Sequence, residues 1–163
     1  MGCSFTNLER VQRLMSQKST SDYSTSRSTG DKLDIADASG CLSYVNTNYH
    51  DDDKQVMQIA VDCYVYNRDR ARLHSHLVQL ATAAYKTPKM SQKYANTMAQ
   101  IVCDEIMGKS KNDTEKAKAL DVDKSVYSRC HAPVFKAVFS EIFEPISKAD
   151  DLAGQYWREC KLT

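Results

Sequence analysis

The chain has 163 residues, 42% hydrophobic and 26% charged, with a formal net charge of +1, which suits one ordinary globular core and leaves little material for a second. Its six cysteines, Cys3, Cys41, Cys63, Cys103, Cys130 and Cys160, lie far apart without a C-x-x-C pair, so neither a zinc ribbon nor a redox dithiol is encoded locally and reduced thiols are expected. No apolar run approaches the ~20 residues of a membrane span, and with no secretory signal in view a reducing cytoplasm is the expected setting, without membrane, metal or cofactor.

The first residues read M-G-C-S-F-T, which fits a myristoylation pattern at Gly2, but the transferase is lacking in bacteria and an ordinary N-terminus is the plainer reading. Leu8, Val11, Leu14 and Met15 fall at helical spacing and predict a short amphipathic helix over 5–17. From Ser19 to Gly30, eight of twelve residues are Ser or Thr, too little apolar surface to offset the entropy of ordering them, so a flexible tail is expected over 1–50. A helical domain is expected over 51–163. Asp53 is placed to cap a helix over 54–67 with Val56, Ile59, Ala60, Cys63 and Tyr64 inward. A second helix over 69–86 carries Leu73, Leu77, Leu80, Ala81 and Ala84, and Thr87-Pro88 ends it. A third starts near Ser91 and stops at Gly108. Strand-like alternation is lacking, so the class is all-α, a helical bundle. His74 and His76 are two apart and cannot share a helix face. The run Asp51-Asp52-Asp53 lacks the alternation of a calcium loop. With no paired carboxylates, phosphate loop or activated nucleophile, an enzyme is not expected.

The function is carried by D-T-E-K-A-K-A-L-D-V-D-K-S-V-Y-S-R-C-H-A-P from Asp113. A helix-turn-helix needs a small residue where two helices cross, apolar residues at the end of the first helix and in the turn, and apolar residues one turn apart on the second. Ala117, Leu120, Val122, Tyr127 and Cys130 meet these demands in order over 113–131. Asp113 and Asp123 stand where N-caps are needed. Asp121 holds the turn position usually given to glycine, and Lys116 a place often apolar. The outward residues of the second helix are then Asp123, Lys124, Ser125, Ser128 and Arg129. Arg129 carries the fork that reads guanine, the serines reach base edges or phosphates, Lys124 neutralises phosphate, and His131 is placed to touch the backbone. Seven basic side chains (Lys109, Lys111, Lys116, Lys118, Lys124, Arg129, Lys136) face four acidic ones over 109–136, a mildly basic stretch beside the acidic 31–53. Pro133 is expected to end the second helix and start another, striped by Val134, Phe135, Val138, Phe139, Ile142 and Phe143 up to Pro145. Leu152, Tyr156 and Trp157 then cover the core or dock on a partner.

The run S-R-C-H-A-P-V-F-K-A-V from Ser128 to Val138 resembles the late-gene antitermination Q proteins of lambda-like phages. L-E-R-V followed by S-Q-K-S and the Ser/Thr stretch is similar to that family's tail, and D-K-Q (Asp53 to Gln55) with L-V-Q-L-A-T-A-A-Y (Leu77 to Tyr85) to its central helices. The family's pair of C-x-x-C motifs is missing, and an apolar-striped helix in Lys86 to Lys109 stands in its place. The resemblance implies a phage factor acting in the bacterial host's cytoplasm. Such a factor binds a DNA element beside the late promoter, engages RNA polymerase paused with its sigma factor, and travels with it through terminators. Lys124, Ser125, Ser128 and Arg129 would read the element, with the tail and the C-terminal aromatic segment toward polymerase or sigma. Two other readings stand beside it: a helix-turn-helix repressor or activator, binding its operator as a homodimer, and a helical protein-interaction adaptor.

Overall fold

The computed structural model describes residues 5–16 and 34–161. The Ser/Thr-rich stretch, Gly2 and Cys3 lie outside the described residues, and with them the expectations of a flexible tail and of acylation. The described chain is all-helical and holds no strand. No described helix is long and apolar enough to cross a membrane.

The helices are α1 (Thr6–Ser16), α2 (Ile35–Asn48), α3 (Lys54–Tyr66), α4 (Arg70–Ala84), α5 (Pro88–Ile106), α6 (Asp113–Leu120), α7 (Lys124–Val126) and α8 (Ala132–Tyr156). A π-helical turn, Tyr127–His131, joins α7 to α8, and another, Trp157–Lys161, follows α8. The chain divides into two compact units, one spanning Asp69–Glu144 and the other Phe5–Arg68 with the chain from Pro145. Helices α1 and α2 share a unit with α3 and the chain from Pro145, whereas the expectation is a tail over 1–50 joined to a domain.

In the unit containing α1, Phe5, Leu8, Val11 and Leu14 are at most 2% exposed, so the amphipathic stripe is spent on burial against α2 and α3. The first amides of α1 are satisfied from a distance. Asn7 and Leu8 donate their backbone N–H groups to Asp150 Oδ1 at 3.0 and 2.9 Å, an N-cap supplied by α8. Burial raises the Asp150 carboxyl above the ordinary range, and these hydrogen bonds oppose it. Trp157 Nε1 donates to Asn7 O at 3.3 Å, closing the same corner.

Helix α2 falls in the stretch read as turn-prone. It opens on a capping box in which Asp34 and Asp37 exchange side-chain and backbone bonds at 3.1 and 2.9 Å. Its buried positions are the small residues Ala38 and Cys41 with Val45, too weak a stripe to stand out by hydrophobicity. Gly40 makes room for an aromatic side chain from the C-terminal part of the chain. A Cβ there would come within 2.5 Å of Tyr156 Oη.

In the unit from Asp69 to Glu144, α4 and α5 form a helical hairpin about a three-residue corner. Arg70 reaching Asp104 at 3.9 Å and His74 Nε2 lying 3.3 Å from Asn96 O mark its antiparallel register. Pro88 starts α5 as its first residue, and Thr87 caps it by accepting from Met90 N at 3.2 Å, so the helix begins three residues before the expected Ser91.

Neither Pro133 nor Pro145 ends a helix, contrary to expectation. Both lie within the helical run that ends at Tyr156. Around Pro145 the buried positions Val138, Ile142, Ile146, Ala149 and Ala153, each at most 1% exposed, keep a helical stripe on both sides, and packing outweighs the lost N–H.

Gly40→Ala is expected to destabilise the chain by about 1–3 kcal/mol through overpacking, although alanine favours a helix. Tyr156→Phe in the same background should restore part of the loss. Urea unfolding of the three variants checks both.

Candidate nucleic-acid interface

Residues 113–131 fold as a helix, a three-residue connection and a second helix. The first, α6, is capped by Asn112 and not by the expected Asp113. Asn112 Oδ1 accepts from Glu115 N at 2.8 Å, and Glu115 Oε1 accepts from Asn112 N at 3.0 Å. Asp113 is then the first residue of the helix, where a negative charge suits the dipole. Asp121 ends α6 in the left-handed region, φ 58° and ψ 48°, the conformation that favours glycine. Its N–H bonds Lys118 O at 3.1 Å and Val122 N bonds Ala117 O at 3.0 Å, which closes the helix end. Asp123 holds the N-cap place with extended backbone, φ −69° and ψ 152°, but its side chain makes no capping bond. Its carbonyl accepts from Tyr127 N at 2.9 Å.

The apolar positions read from sequence divide by depth. Ala117, Leu120 and Tyr127 are buried at 3%, 4% and 1% exposure, while Val122 and Cys130 are half-buried. Lys116 is buried as well, at 7%. Its ammonium lies 3.6 Å from the Phe135 ring centre and 3.8 Å from Glu105 Oε1, so a ring face and a buried carboxylate compensate a charge at an apolar place.

Asp123, Lys124, Ser125, Ser128 and Arg129 are all exposed. His131 is not. Expected at the DNA backbone, it is 1% exposed: four residues after Tyr127, it turns to the same inward side. Its Nδ1 lies 2.7 Å from Tyr85 Oη. The Tyr94 ring packs edge-on at 4.5 Å and the Tyr127 ring stacks at 6.3 Å, and among the described residues Nε2 meets no hydrogen-bond partner. Burial lowers the histidine pKa from 6.5. Burial also raises the Tyr127 hydroxyl to about 12, with the Asp113 and Glu105 carboxylates adding to the rise.

The π-turn explains how the second helix passes Pro133. Ala132 N bonds Tyr127 O, five residues back, and this wider turn relieves the clash between a proline ring and the carbonyl four residues earlier. The unbroken helix adds a residue that the motif alone does not include. Lys136 is exposed and lies seven residues after Arg129, further along the same helical run. Ignoring the proline as a stop would have found it. Among the described residues no group of His, Cys, Asp and Glu is arranged to hold a metal ion, and Cys41, Cys63, Cys103 and Cys130 are in no disulfide.

Compared with known proteins, the chain matches no family model, no curated protein and no solved structure.

Asp121→Gly should stabilise the chain by up to about 1 kcal/mol, since glycine adopts the left-handed region without a Cβ penalty, which urea unfolding measures. A histidine whose folded pKa is depressed binds fewer protons in the native than in the unfolded state, so its stability contribution is whole above pH 6.5 and is lost as pH falls from 6.5 through the lowered value. The unfolding midpoint of the parent chain should therefore drop more on acidification than that of His131→Gln, and equal slopes would contradict this.

Proposed function

We propose that this chain binds DNA through a helix-turn-helix over 113–131 and acts as a phage transcription antitermination factor. The observation that carries the DNA-binding reading is the exposure of Lys124, Ser125, Ser128 and Arg129 on a helix whose inward side is held by buried Tyr127 and His131. Their chemistry suits a major groove: a guanidinium fork for guanine O6 and N7, two hydroxyls and an ammonium for base edges and phosphates. Lys136 extends this surface along the same helix. The buried set Lys116, Ala117, Leu120 and Tyr127 around a left-handed turn at Asp121 supports the motif assignment.

The step from DNA binding to antitermination rests on the resemblance of Ser128 to Val138, and of the central helices, to late-gene antitermination proteins. On this reading the chain binds an element beside a late promoter and loads onto the host RNA polymerase paused with its sigma factor, in the bacterial cytoplasm. A factor that stays with polymerase raises transcription beyond a terminator, which an operator-bound repressor cannot do.

Arg129→Ala is expected to weaken specific binding by about 1–3 kcal/mol and to abolish read-through in a run-off transcription assay carrying a terminator. Specific binding without read-through would assign the chain to the repressor or activator class. Read-through that survives the loss of specific binding would contradict the proposal.

A further inference from the structure

The candidate interface lies beside a part of the chain with an unusual charge pattern. Between Asp69 and Asp104 there is no Asp or Glu, while Arg70, Arg72, Lys86, Lys89 and Lys93 occur in that span. Three of these cluster at the α4–α5 corner and the start of α5: Lys86, Lys89 and Lys93. All three are exposed, and no ion pair among the described residues involves any of them. Lys89 and Lys93 are four apart and share one side of the helix.

Their position relative to the reading segment is set by His131. Tyr85, the residue before Lys86, bonds His131 Nδ1 at 2.7 Å, and Tyr94, the residue after Lys93, packs its ring 4.5 Å from that of His131. Lys93 Nζ lies 5.3 Å from the Tyr94 ring centre. The two tyrosines that pack against the inward side of the segment from Lys124 to His131 thus tie to it the stretch of chain that carries the three lysines.

The placement also runs against local electrostatics. Pro88 and Lys89 are the first two residues of α5, and its first turn holds no acidic residue. Positive charge at a helix N-terminus opposes the macrodipole, so Lys86 and Lys89 cost stability where they stand. A local rule broken without structural return is the pattern of a functional surface.

We propose that Lys86, Lys89 and Lys93 form a second phosphate-contacting surface for duplex DNA, flanking the helix that carries Arg129. It rests on the DNA-binding reading above and deepens it: Arg129 discriminates sequence, while the lysine corner supplies sequence-independent affinity by neutralising the backbone next to the occupied groove.

The test is fluorescence anisotropy of the full chain with a labelled duplex of unrelated sequence, over a series of salt concentrations. Replacing all three lysines by glutamine should flatten the slope of log affinity against log salt by roughly 2 to 3, about 0.9 for each phosphate that is no longer neutralised. Lys89→Glu should lower duplex affinity further while leaving the melting temperature unchanged or raising it, because the new carboxylate suits the helix N-terminus. A lowered melting temperature would make the lysine structural and overturn the proposal. An unchanged slope in the triple variant of a chain that does bind duplex overturns the lysine surface and leaves the DNA-binding reading standing. A parent chain without salt-dependent duplex affinity overturns both. Tighter binding of a single-stranded RNA of equal length, with the triple variant's weakening confined to that RNA, overturns the assignment to duplex DNA.

Discussion

The buried hydrogen bond between Tyr85 Oη and His131 Nδ1, 2.7 Å long, ties the α4–α5 corner to the last turn before α8. With Tyr127 one turn earlier and equally buried, it settles which side of the segment from Lys124 to His131 faces inward. Helical geometry then turns Ser128 and Arg129 to solvent between the two anchors, and Lys124 and Ser125 before them, while Val126 and Cys130 stay half-buried. The exposure of Lys124, Ser125, Ser128 and Arg129 is thus a consequence of an aromatic cluster on the opposite side. Among the described residues the cluster offers His131 Nε2 no hydrogen-bond partner. That cost ties the segment's packing to the neutral form of the imidazole.

The helical class is legible in the sequence because long apolar stripes are a strong signal. Leu73, Leu77 and Ala81 in α4, and Met98, Val102 and Ile106 in α5, recur at the helical period and are all buried. So is α1, whose Leu8, Val11 and Leu14 stand out in a polar neighbourhood. Helix α2 is not, because it buries mainly the small residues Ala38 and Cys41, and small residues leave no hydrophobic stripe to read. Its Asp34–Asp37 capping box is the available sign.

Prolines mislead about helix ends, for opposite local reasons. Pro88, expected as a stop, is the first residue of a helix, where its missing N–H is not needed. Pro133 and Pro145, expected as boundaries, lie where tertiary packing carries the helix onward, through a π-turn at the first. In the candidate site the outward residues are legible and His131 is not. Its polarity suggests a surface place, and only the tyrosines at 85 and 94, distant in sequence, reveal its burial. Lys116 stands out in the sequence as a charge at an apolar place. Its compensation by Phe135 and Glu105 depends on two other helices and cannot be read locally.

The proposed function requires the outward side of the helix from Lys124 onward to meet DNA. The most direct measurement is an NMR titration of the isotope-labelled full chain with duplex DNA, followed at backbone amides. The largest shifts are expected within Asp123 to Arg129, continuing to Lys136, with the amides of α1 and α2 unmoved. Shifts centred elsewhere, or none at duplex excess and low salt, would contradict it.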